Sequence, residues 1–494
     1  MQFLITTLGC KVNQYESAAL GEALAQAGLS LAGWSDGPAD LRVVNTCCVT
    51  AAAMAKSRQT IARAVRSAPG ALVLVTGCYV DYDAQRLGQL LAQLGVPPQR
   101  AVLAGHRDDL STCLAEVLAL LAFPRVGRTS VRLHRQEQQT SLSEGGASTS
   151  LATASEPAAS LSDLIKSRRP AEVKQKFLPA AAYLPSLKSF PGRRRAIVKI
   201  QDGCDAFCSY CIVPHLRNRM GSRPPEIVER ECRDLVAAGH REIILCGVSL
   251  GAYGRDAADG QTSALPELIR RLAGIPGLWR LRLSSLECGD VSEEFLAACR
   301  QTPNLAPHFH LPLQSGSDRI LRRMNRRYSA GQFLQTVARL REATDRPAIT
   351  TDILVGFPGE DDDDFAATLA VARQAGFAKI HAFPFSAIEG TAAWAFRREA
   401  PPAAVVKARM AALAATEKEL AAAYRRQFVG QTVEAVVEDH GRGSGHVART
   451  DRYFTVTLPR CTAVQPGQAV RAAIESLGDK HMPAQLVAVL PGPA

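Results

Sequence analysis

The chain contains 494 residues, of which 47% are hydrophobic and 21% are charged, a composition typical of folded globular proteins and not of disordered ones. Its longest apolar runs, such as residues 114–123, are well short of the roughly 20 residues that span a bilayer, and its first residues lack the pattern of a signal peptide. We therefore expect a cytoplasmic protein without a membrane partner. The net charge of +11 allows a polyanion such as RNA as partner, but does not identify one.

Two regions of alternating strand and helix patterns, separated by a segment of biased composition, are followed by a region of short strands. Residues 1–124 alternate short apolar runs with helical segments, which predicts a doubly wound parallel sheet. The alternation fails over residues 125–190, where residues 140–162 are almost entirely Ser, Ala, Gly, Thr, Leu and Glu, and this segment is predicted to be a flexible linker. Residues 191–428 hold six strand candidates, which suits a partial six-unit βα barrel better than a closed eight-stranded one. Residues 429–494 predict a small C-terminal β-barrel with four strands.

The sharpest motif is a C-x3-C-x2-C run formed by Cys204, Cys208 and Cys211, directly after the first strand of the second region. Three thiolates in one loop suit a [4Fe–4S] cluster and leave one iron open for another ligand. A structural zinc ion is the alternative, but zinc prefers four closed ligands. His215 is the one nearby residue that could serve as the fourth.

A second set of cysteines is spread over the first region. Cys10, Cys47 and Cys78 each follow a predicted strand. Because doubly wound sheets build their sites at the carboxyl ends of the strands, these thiols are expected to converge on a second cluster. The alternative for each is a buried packing thiol. We expect Cys48 to point away from the second cluster and to pack in the core.

The motif at Cys204, with Tyr210 before its last cysteine and a βα barrel after it, resembles the radical S-adenosylmethionine superfamily. Apart from the linker, the chain resembles the methylthiotransferases of that superfamily, which carry an N-terminal domain with three cysteines, a radical domain and a C-terminal TRAM barrel. The segments TLGCKVNQYES, VVNTCCVT and HLPLQSGSDRILRRMNRRYS are most similar to the branch that acts on threonylcarbamoyladenosine in tRNA.

This resemblance implies an enzyme that adds a methylthio group to carbon 2 of the modified adenosine just 3′ of the anticodon. It implies two [4Fe–4S] clusters and S-adenosylmethionine as cofactors, with tRNA and an external one-electron reductant as partners. An aromatic C–H bond without acidity is beyond ordinary acid–base or nucleophilic side chains, so a cofactor must carry this step.

Other functions stay open at this point. The chain could modify isopentenyladenosine in tRNA or an aspartate of a ribosomal protein. It could also be a non-catalytic RNA-binding protein stabilised by metal. No residue is predicted to act directly as a catalytic acid, base or nucleophile.

Further candidate residues lie at the ends of predicted barrel strands and in two basic segments. The expected S-adenosylmethionine contacts are Gly247, Gly251, Glu287, Gln314 and Gly356. The expected RNA contacts are Arg322, Arg323, Arg326, Arg327, Arg449 and Tyr453. Tight turns, helix caps and a solvated helix face are the ordinary alternatives for these residues. After Cys211 the chain reads LRNRMGSR, where the family commonly has an Arg-Gly pair.

Overall fold

The computed structural model describes most of the chain. It covers residues 1–32, 39–106, 110–122, 185–190, 194–256, 263–440, 445–459 and 464–490. The linker predicted at 125–190 lies outside the described residues except at its last few positions, and the predicted domain limits remain predictions. Within the described residues, none of the helices combines the length and the apolar character that crossing a membrane requires.

The first region folds into a five-stranded parallel sheet with the order β2-β1-β3-β4-β5. Its strands are β1 (Gln2–Thr7), β2 (Ser30–Leu31), β3 (Leu41–Thr46), β4 (Leu72–Gly77) and β5 (Ala101–Ala104). Its helices are α1 (Lys11–Gln26), α2 (Ala51–Ser67), α3 (Cys78–Gln93) and α4 (Leu110–Ala122). Every residue of β3 and β4 is buried, as in parallel sheets that helices cover on both faces. The predicted doubly wound sheet is confirmed.

The second region contains six parallel strands, as predicted. They are β6 (Arg195–Asp202), β8 (Glu242–Gly247), β9 (Arg280–Leu283), β10 (His308–His310), β11 (Ala348–Val355) and β12 (Lys379–Pro384), with a short antiparallel strand β7 (Gly221–Ser222) beside β6. Parallel bridges from Leu281 to Leu305 and from Ser285 to His310 connect β9 to the β10 segment. The strands therefore form one continuous arc, which is the partial barrel.

Helices alternate with these strands along the chain. They are α5 (Val213–Leu216), α6 (Pro225–Ala237), α7 (Leu265–Ala273), α8 (Glu293–Gln301), α9 (Asp318–Arg323), α10 (Ala330–Ala343), α11 (Asp362–Ala375) and α12 (Ala403–Arg426). Side-chain caps begin several of them: Ser317, Ser329 and Asp361 each accept a backbone N–H of the first turn. Such caps satisfy amide groups that have no partner inside the helix.

The C-terminal region closes into a five-stranded barrel with the order β13-β14-β15-β17-β16. Its strands are β13 (Thr432–His440), β14 (Gly445–Thr450), β15 (Thr455–Pro459), β16 (Ala469–Ile474) and β17 (Met482–Val489). The sequence predicted four strands and missed β14. In GHVART the buried positions alternate with partly exposed ones, so β14 lacks the apolar run that marks the others.

The first region packs directly on the barrel of the second. Val12, Tyr15 and Ala19 of α1 belong to the apolar core of the partial barrel. The hydroxyl of Tyr15 also donates a hydrogen bond of 3.0 Å to buried Glu231 on α6. The carboxyl ends of β1, β3 and β4 therefore lie beside the mouth of the barrel.

Candidate active site

The three cysteines of the first region lie at the ends of adjacent strands. Cys10 is the residue before α1 and follows β1, Cys47 follows β3, and Cys78 is the first residue of α3 after β4. Gly9 has a φ of 100°, and a Cβ there would lie 3.3 Å from the sulfur of Cys47. Glycine thus lets the loop that carries Cys10 approach the loop that carries Cys47. The three cysteines therefore follow neighbouring strands of the sheet, and their convergence on one cluster stays a prediction.

Buried polar side chains hold these three loops together. Asn13 donates to the carbonyls of Leu8 and Thr46, at 2.9 and 3.0 Å. Asn45 donates to the carbonyl of Asn13 at 3.0 Å, and the hydroxyl of Thr46 donates to the carbonyl of Thr76. The bond to Leu8 lies within the segment after β1, whereas the other three bonds each join the ends of two different strands and so hold the three loops side by side.

The other three cysteines lie in the loop after β6. The N–H of Cys211 donates to the carbonyl of Cys208 at 3.0 Å, and the N–H of Ala206 approaches the sulfur of Cys204 at 3.5 Å. Phe207 adopts a positive φ of 46°, a strained conformation for a bulky residue. The loop is therefore folded tightly around its three thiols.

The segment after α9 supports this loop. Asn325 donates from its side chain to the carbonyl of Phe207 at 2.9 Å, and Arg327 donates to the carbonyl of Asp205 at 2.8 Å. The backbone of Ser209 donates to the carbonyl of Met324. The run MNRRY, predicted in part to contact RNA, thus forms the wall that holds the strained cysteine loop.

Arg326 has a more specific position within this wall. Its Nη1 donates to the sulfur of Cys208 at 3.1 Å, its Nε contacts the hydroxyl of Tyr328 at 3.1 Å, and its Nη2 pairs with Glu287. Its side chain is 4% exposed. The RNA contact predicted for Arg326 has no support in this geometry, because the guanidinium lies inside the protein against the sulfur of Cys208.

The thiols have the chemistry that iron–sulfur clusters need. Burial raises the pKa of Cys78 and of Cys204 to about 12, and it raises the pKa of Cys211 well above its usual value. Buried thiols of this kind ionise readily only when a cation compensates the charge, as cluster iron does. Within the described part of the chain, no three Cys, His, Asp or Glu side chains converge closely enough to hold a single metal ion. Each set offers three thiol donors, the donor set expected of an iron–sulfur cluster that leaves one iron open.

One arginine that the sequence did not single out connects the two cysteine sets. The carbonyl of Arg217 accepts a hydrogen bond of 3.1 Å from the N–H of Cys204. Its guanidinium donates to Glu16 at 2.9 Å, to Asp202 at 2.9 Å and to His106 at 2.6 Å. Arg217 therefore touches the barrel loop and the first region at once.

His106 continues this connection to the second cysteine set. Its Nε2 lies 3.3 Å from the sulfur of Cys78. Burial lowers the pKa of His106 to about 4, so a neutral ring accepts from Arg217. Neither Arg217 nor His106 was identified as a site residue from the sequence. Their contacts with each other form because the first region packs on the partial barrel.

The residues predicted to contact S-adenosylmethionine lie at the carboxyl ends of barrel strands, as expected. A Cβ on Gly251 would overlap the carboxylate of Asp290, and one on Gly247 would lie 2.9 Å from Gln201. Gly356 has a φ of 78°, and Gln314 has a φ of 63°. Left-handed backbone at a non-glycine residue costs energy and is concentrated at functional sites. Glu287 is engaged by Arg326, as described above.

The remaining predicted RNA contacts divide into two groups. Arg322 and Arg327 are exposed. Arg323 pairs with Glu399 and covers the ring of Phe396. In the C-terminal barrel, Arg449 pairs with Glu438 at 2.7 Å and the ring of Tyr453 stacks on His308 with centroids 4.6 Å apart. Most of these side chains are thus occupied by protein contacts.

The chain is similar to known proteins along nearly all of its length. Residues 198–372 match the radical SAM superfamily, and residues 2–95 match the family described as "Uncharacterized protein family UPF0004". The threonylcarbamoyladenosine tRNA methylthiotransferase MtaB of Chlamydia pneumoniae is 34% identical, with 98% of each chain covered. The chain belongs to the radical SAM tRNA methylthiotransferase family. The predicted enzyme class is confirmed, and this methylthiotransferase uses the cofactors of its family, S-adenosylmethionine and two [4Fe–4S] clusters.

Other relatives carry two different substrate names. The MtaB protein of Thermotoga maritima is 32% identical and covers 88% of this chain and 86% of its own length. A tRNA-2-methylthio-N(6)-dimethylallyladenosine synthase of Paracoccus denitrificans is 30% identical and covers 96% and 94%. Among solved structures, the radical S-adenosylmethionine methyltransferase TsrM of Kitasatospora setae is 16% identical, with a TM-score of 0.48 over 78% of this methylthiotransferase and 74% of TsrM.

Proposed function

We propose that this methylthiotransferase modifies carbon 2 of threonylcarbamoyladenosine, next to the anticodon of tRNA. The observation that carries methylthio transfer is the pair of cysteine sets joined through Arg217, and the MtaB relatives support threonylcarbamoyladenosine as the substrate. A radical site alone needs only the loop at Cys204, whereas sulfur insertion calls for a second cluster within reach. When bound, the clusters and S-adenosylmethionine supply the radical, the methyl group and the sulfur that this carbon requires.

We propose the following roles for the residues of the chain. Cys204, Cys208 and Cys211 hold one cluster, and Cys10, Cys47 and Cys78 hold the other. Arg326 compensates the negative charge at Cys208 by its buried hydrogen bond to the sulfur. Gly251 lets Asp290 pack against the backbone beside the S-adenosylmethionine site, to which Gly247, Gly356, Glu287 and Gln314 also contribute. Arg217 fixes the distance between the two cluster sites.

The proposed domains are an N-terminal methylthiotransferase domain (1–124), a linker (125–190), a radical SAM domain (191–428) and a TRAM domain (429–494). The substrate places the enzyme in the cytoplasm, where it takes one electron at a time from an external reductant. Modification of dimethylallyladenosine is the second candidate function, which the Paracoccus denitrificans relative supports.

The test is mass spectrometry of tRNA nucleosides from cells in which the gene is deleted and replaced by a gene for one variant at a time. Cys10→Ala and Cys204→Ala should both abolish the methylthio group and accumulate threonylcarbamoyladenosine. Cys299→Ala, a cysteine in helix α8 away from both sets, is the matched control and should retain modification. Loss from dimethylallyladenosine instead would support the second candidate.

Reconstituted protein separates the roles of the two sets. Cys204→Ala should lose cleavage of S-adenosylmethionine, whereas Cys10→Ala should retain it without forming methylthio product. Cleavage that survives Cys204→Ala would contradict the assignment of the radical site.

A further inference from the structure

Helix α2 presents a basic face to solvent. Lys56, Arg63 and Arg66 are exposed, and spacings of seven and three residues put them on one side of a helix with 3.6 residues per turn. The sequence AAAMAKSRQTIARAVRS contains no acidic residue. We call Lys56, Arg63 and Arg66 the α2 basic face.

The charges of the α2 basic face are not compensated within the described residues. Within the described residues, the charged ends of the Lys56, Arg63 and Arg66 side chains form no ion pair or hydrogen bond, in contrast to Arg217, Arg282 and Arg326. An open depression of about 900 Å³ lies here, lined by Arg58, Gln59, Ala62, Arg63, Arg66 and Ser67. Clustered positive charge beside an open depression favours an anionic partner.

The opposite side of α2 is attached to the cysteine site. The hydroxyl of Ser57 donates to the carbonyl of Cys47 at 2.9 Å and accepts from its N–H at 3.2 Å. Arg58 lies between the two sides: it lines the depression and donates to the hydroxyl of Tyr79, the neighbour of Cys78, at 2.7 Å. The helix therefore has one face that holds the cluster loops and another that faces solvent.

The start of α2 lies at the mouth of the barrel. The N–H of Ala51 donates to the hydroxyl of Ser386, just beyond β12, at 3.0 Å. From there the 17 residues of α2 extend about 25 Å. A nucleic acid with one nucleotide at the mouth has its backbone within reach of such a helix.

We propose that the α2 basic face binds the sugar–phosphate backbone of the tRNA substrate while the target adenosine occupies the barrel mouth. This inference rests on the proposed function. Arginine suits phosphate because its planar fork donates two parallel hydrogen bonds. RNA is favoured over an acidic protein because the helix that carries the face begins at the barrel mouth, where the modified nucleotide must lie.

The test compares tRNA binding by two reconstituted variants that each lose two exposed charges. Arg63→Gln/Arg66→Gln removes charge from the α2 basic face. Arg230→Gln/Arg300→Gln removes it from α6 and α8 and is the control. Fluorescence anisotropy measures the Kd for unmodified substrate tRNA at salt concentrations from about 50 to about 300 mM. Contacts to phosphate weaken over this range. Iron content and tRNA-independent cleavage of S-adenosylmethionine report on the folded state.

The α2 variant should bind at least about fivefold more weakly, and its plot of log Kd against log salt should be shallower by about 1.5, the loss expected for two phosphate contacts. The control should bind as the parent does, and both should keep iron and cleavage. Unchanged tRNA binding by the α2 variant would overturn the proposal and point to an acidic protein, and equal weakening by both variants would also overturn it. If the parent itself bound no tRNA, the proposed function would fail, and the surface with it.

Discussion

A buried carboxylate connects the partial barrel to the C-terminal barrel. Glu242 on β8 has no exposed surface and lies 2.7 Å from Arg282, 3.3 Å from Arg280 and 3.6 Å from Arg195. These arginines continue into the C-terminal barrel: Arg282 donates to the carbonyl of Asp451 at 2.8 Å. We predict that Glu242→Gln destabilises the protein and loosens this contact.

Two independent arguments give the size of the effect. Although burial by itself raises the pKa of Glu242, the attraction of Arg282, Arg280 and Arg195 outweighs it and lowers the pKa from 4.5 to about 2. This difference corresponds to about 3 kcal/mol of stability at neutral pH. Removing one partner of a buried ion pair typically costs about 3–5 kcal/mol. We therefore expect a loss of about 3 kcal/mol for Glu242→Gln.

The pH dependence follows from the direction of the shift. Since the pKa of Glu242 is lower in the folded state, its contribution is complete above pH 4.5, the unfolded value, and is lost as the pH falls toward 2. The difference in stability between the parent and Glu242→Gln should therefore be smaller by about 1 kcal/mol at pH 3.5 than at pH 7.5.

Urea unfolding of the apoprotein, followed by circular dichroism, measures these differences. Glu267→Gln is the control, because Glu267 is 77% exposed and pairs with Arg270 at 3.4 Å; it should change stability by less than about 0.5 kcal/mol. If Glu242→Gln unfolded within 1 kcal/mol of the parent, the buried charge would not hold the two barrels together as argued.

Three further predictions concern the site and its surroundings. Arg326→Gln removes the donor to the sulfur of Cys208 and should make the midpoint potential of that cluster more negative, as read by redox titration with electron paramagnetic resonance; an unchanged potential would contradict the role of Arg326. Gly251→Ala would force Asp290 to move, so calorimetry should show weaker S-adenosylmethionine binding and unfolding should show a loss of about 1–3 kcal/mol. Gly88→Ala in α3, where a Cβ meets only Leu103 at 3.9 Å, should instead add about 0.5–1 kcal/mol; destabilisation would refute that packing argument.

Both cysteine sets could be predicted from the sequence. In the first region, strands and helices alternate regularly, and each of the three cysteines follows a strand. Three residues at the ends of β1, β3 and β4 must meet at one edge of a parallel sheet, whatever the side chains around them. The loop at Cys204 is local and needs no fold at all. Both patterns depend on the order of strands and loops along the chain, which can be predicted from a single sequence.

The contacts of the arginines could not be predicted from the sequence in the same way. The pattern that predicted RNA contacts at Arg326 and Arg449 counted charge and spacing, but whether a guanidinium faces solvent depends on partners far away in sequence. Arg326 meets Cys208, and Arg449 meets Glu438. The α2 basic face contains fewer charges in a longer segment, and it stands out because its charged groups have no partner among the described residues. Pairing across regions decides this, and it is visible only in the fold.

The motif TLGCKVNQYES illustrates how binding and assembly share one segment. Cys10 is a predicted ligand, and Asn13 fixes the neighbouring loops. Half a turn later, Tyr15 and Glu16 face the barrel, where Tyr15 contacts Glu231 and Glu16 pairs with Arg217. Helix α1 begins directly after Cys10 and contacts the partial barrel through its second turn. It therefore sets the position of one proposed cluster site relative to the other. Exchange of this helix for one with the same cysteine but without Tyr15 and Glu16 would therefore keep a cluster site and lose its alignment with the radical site.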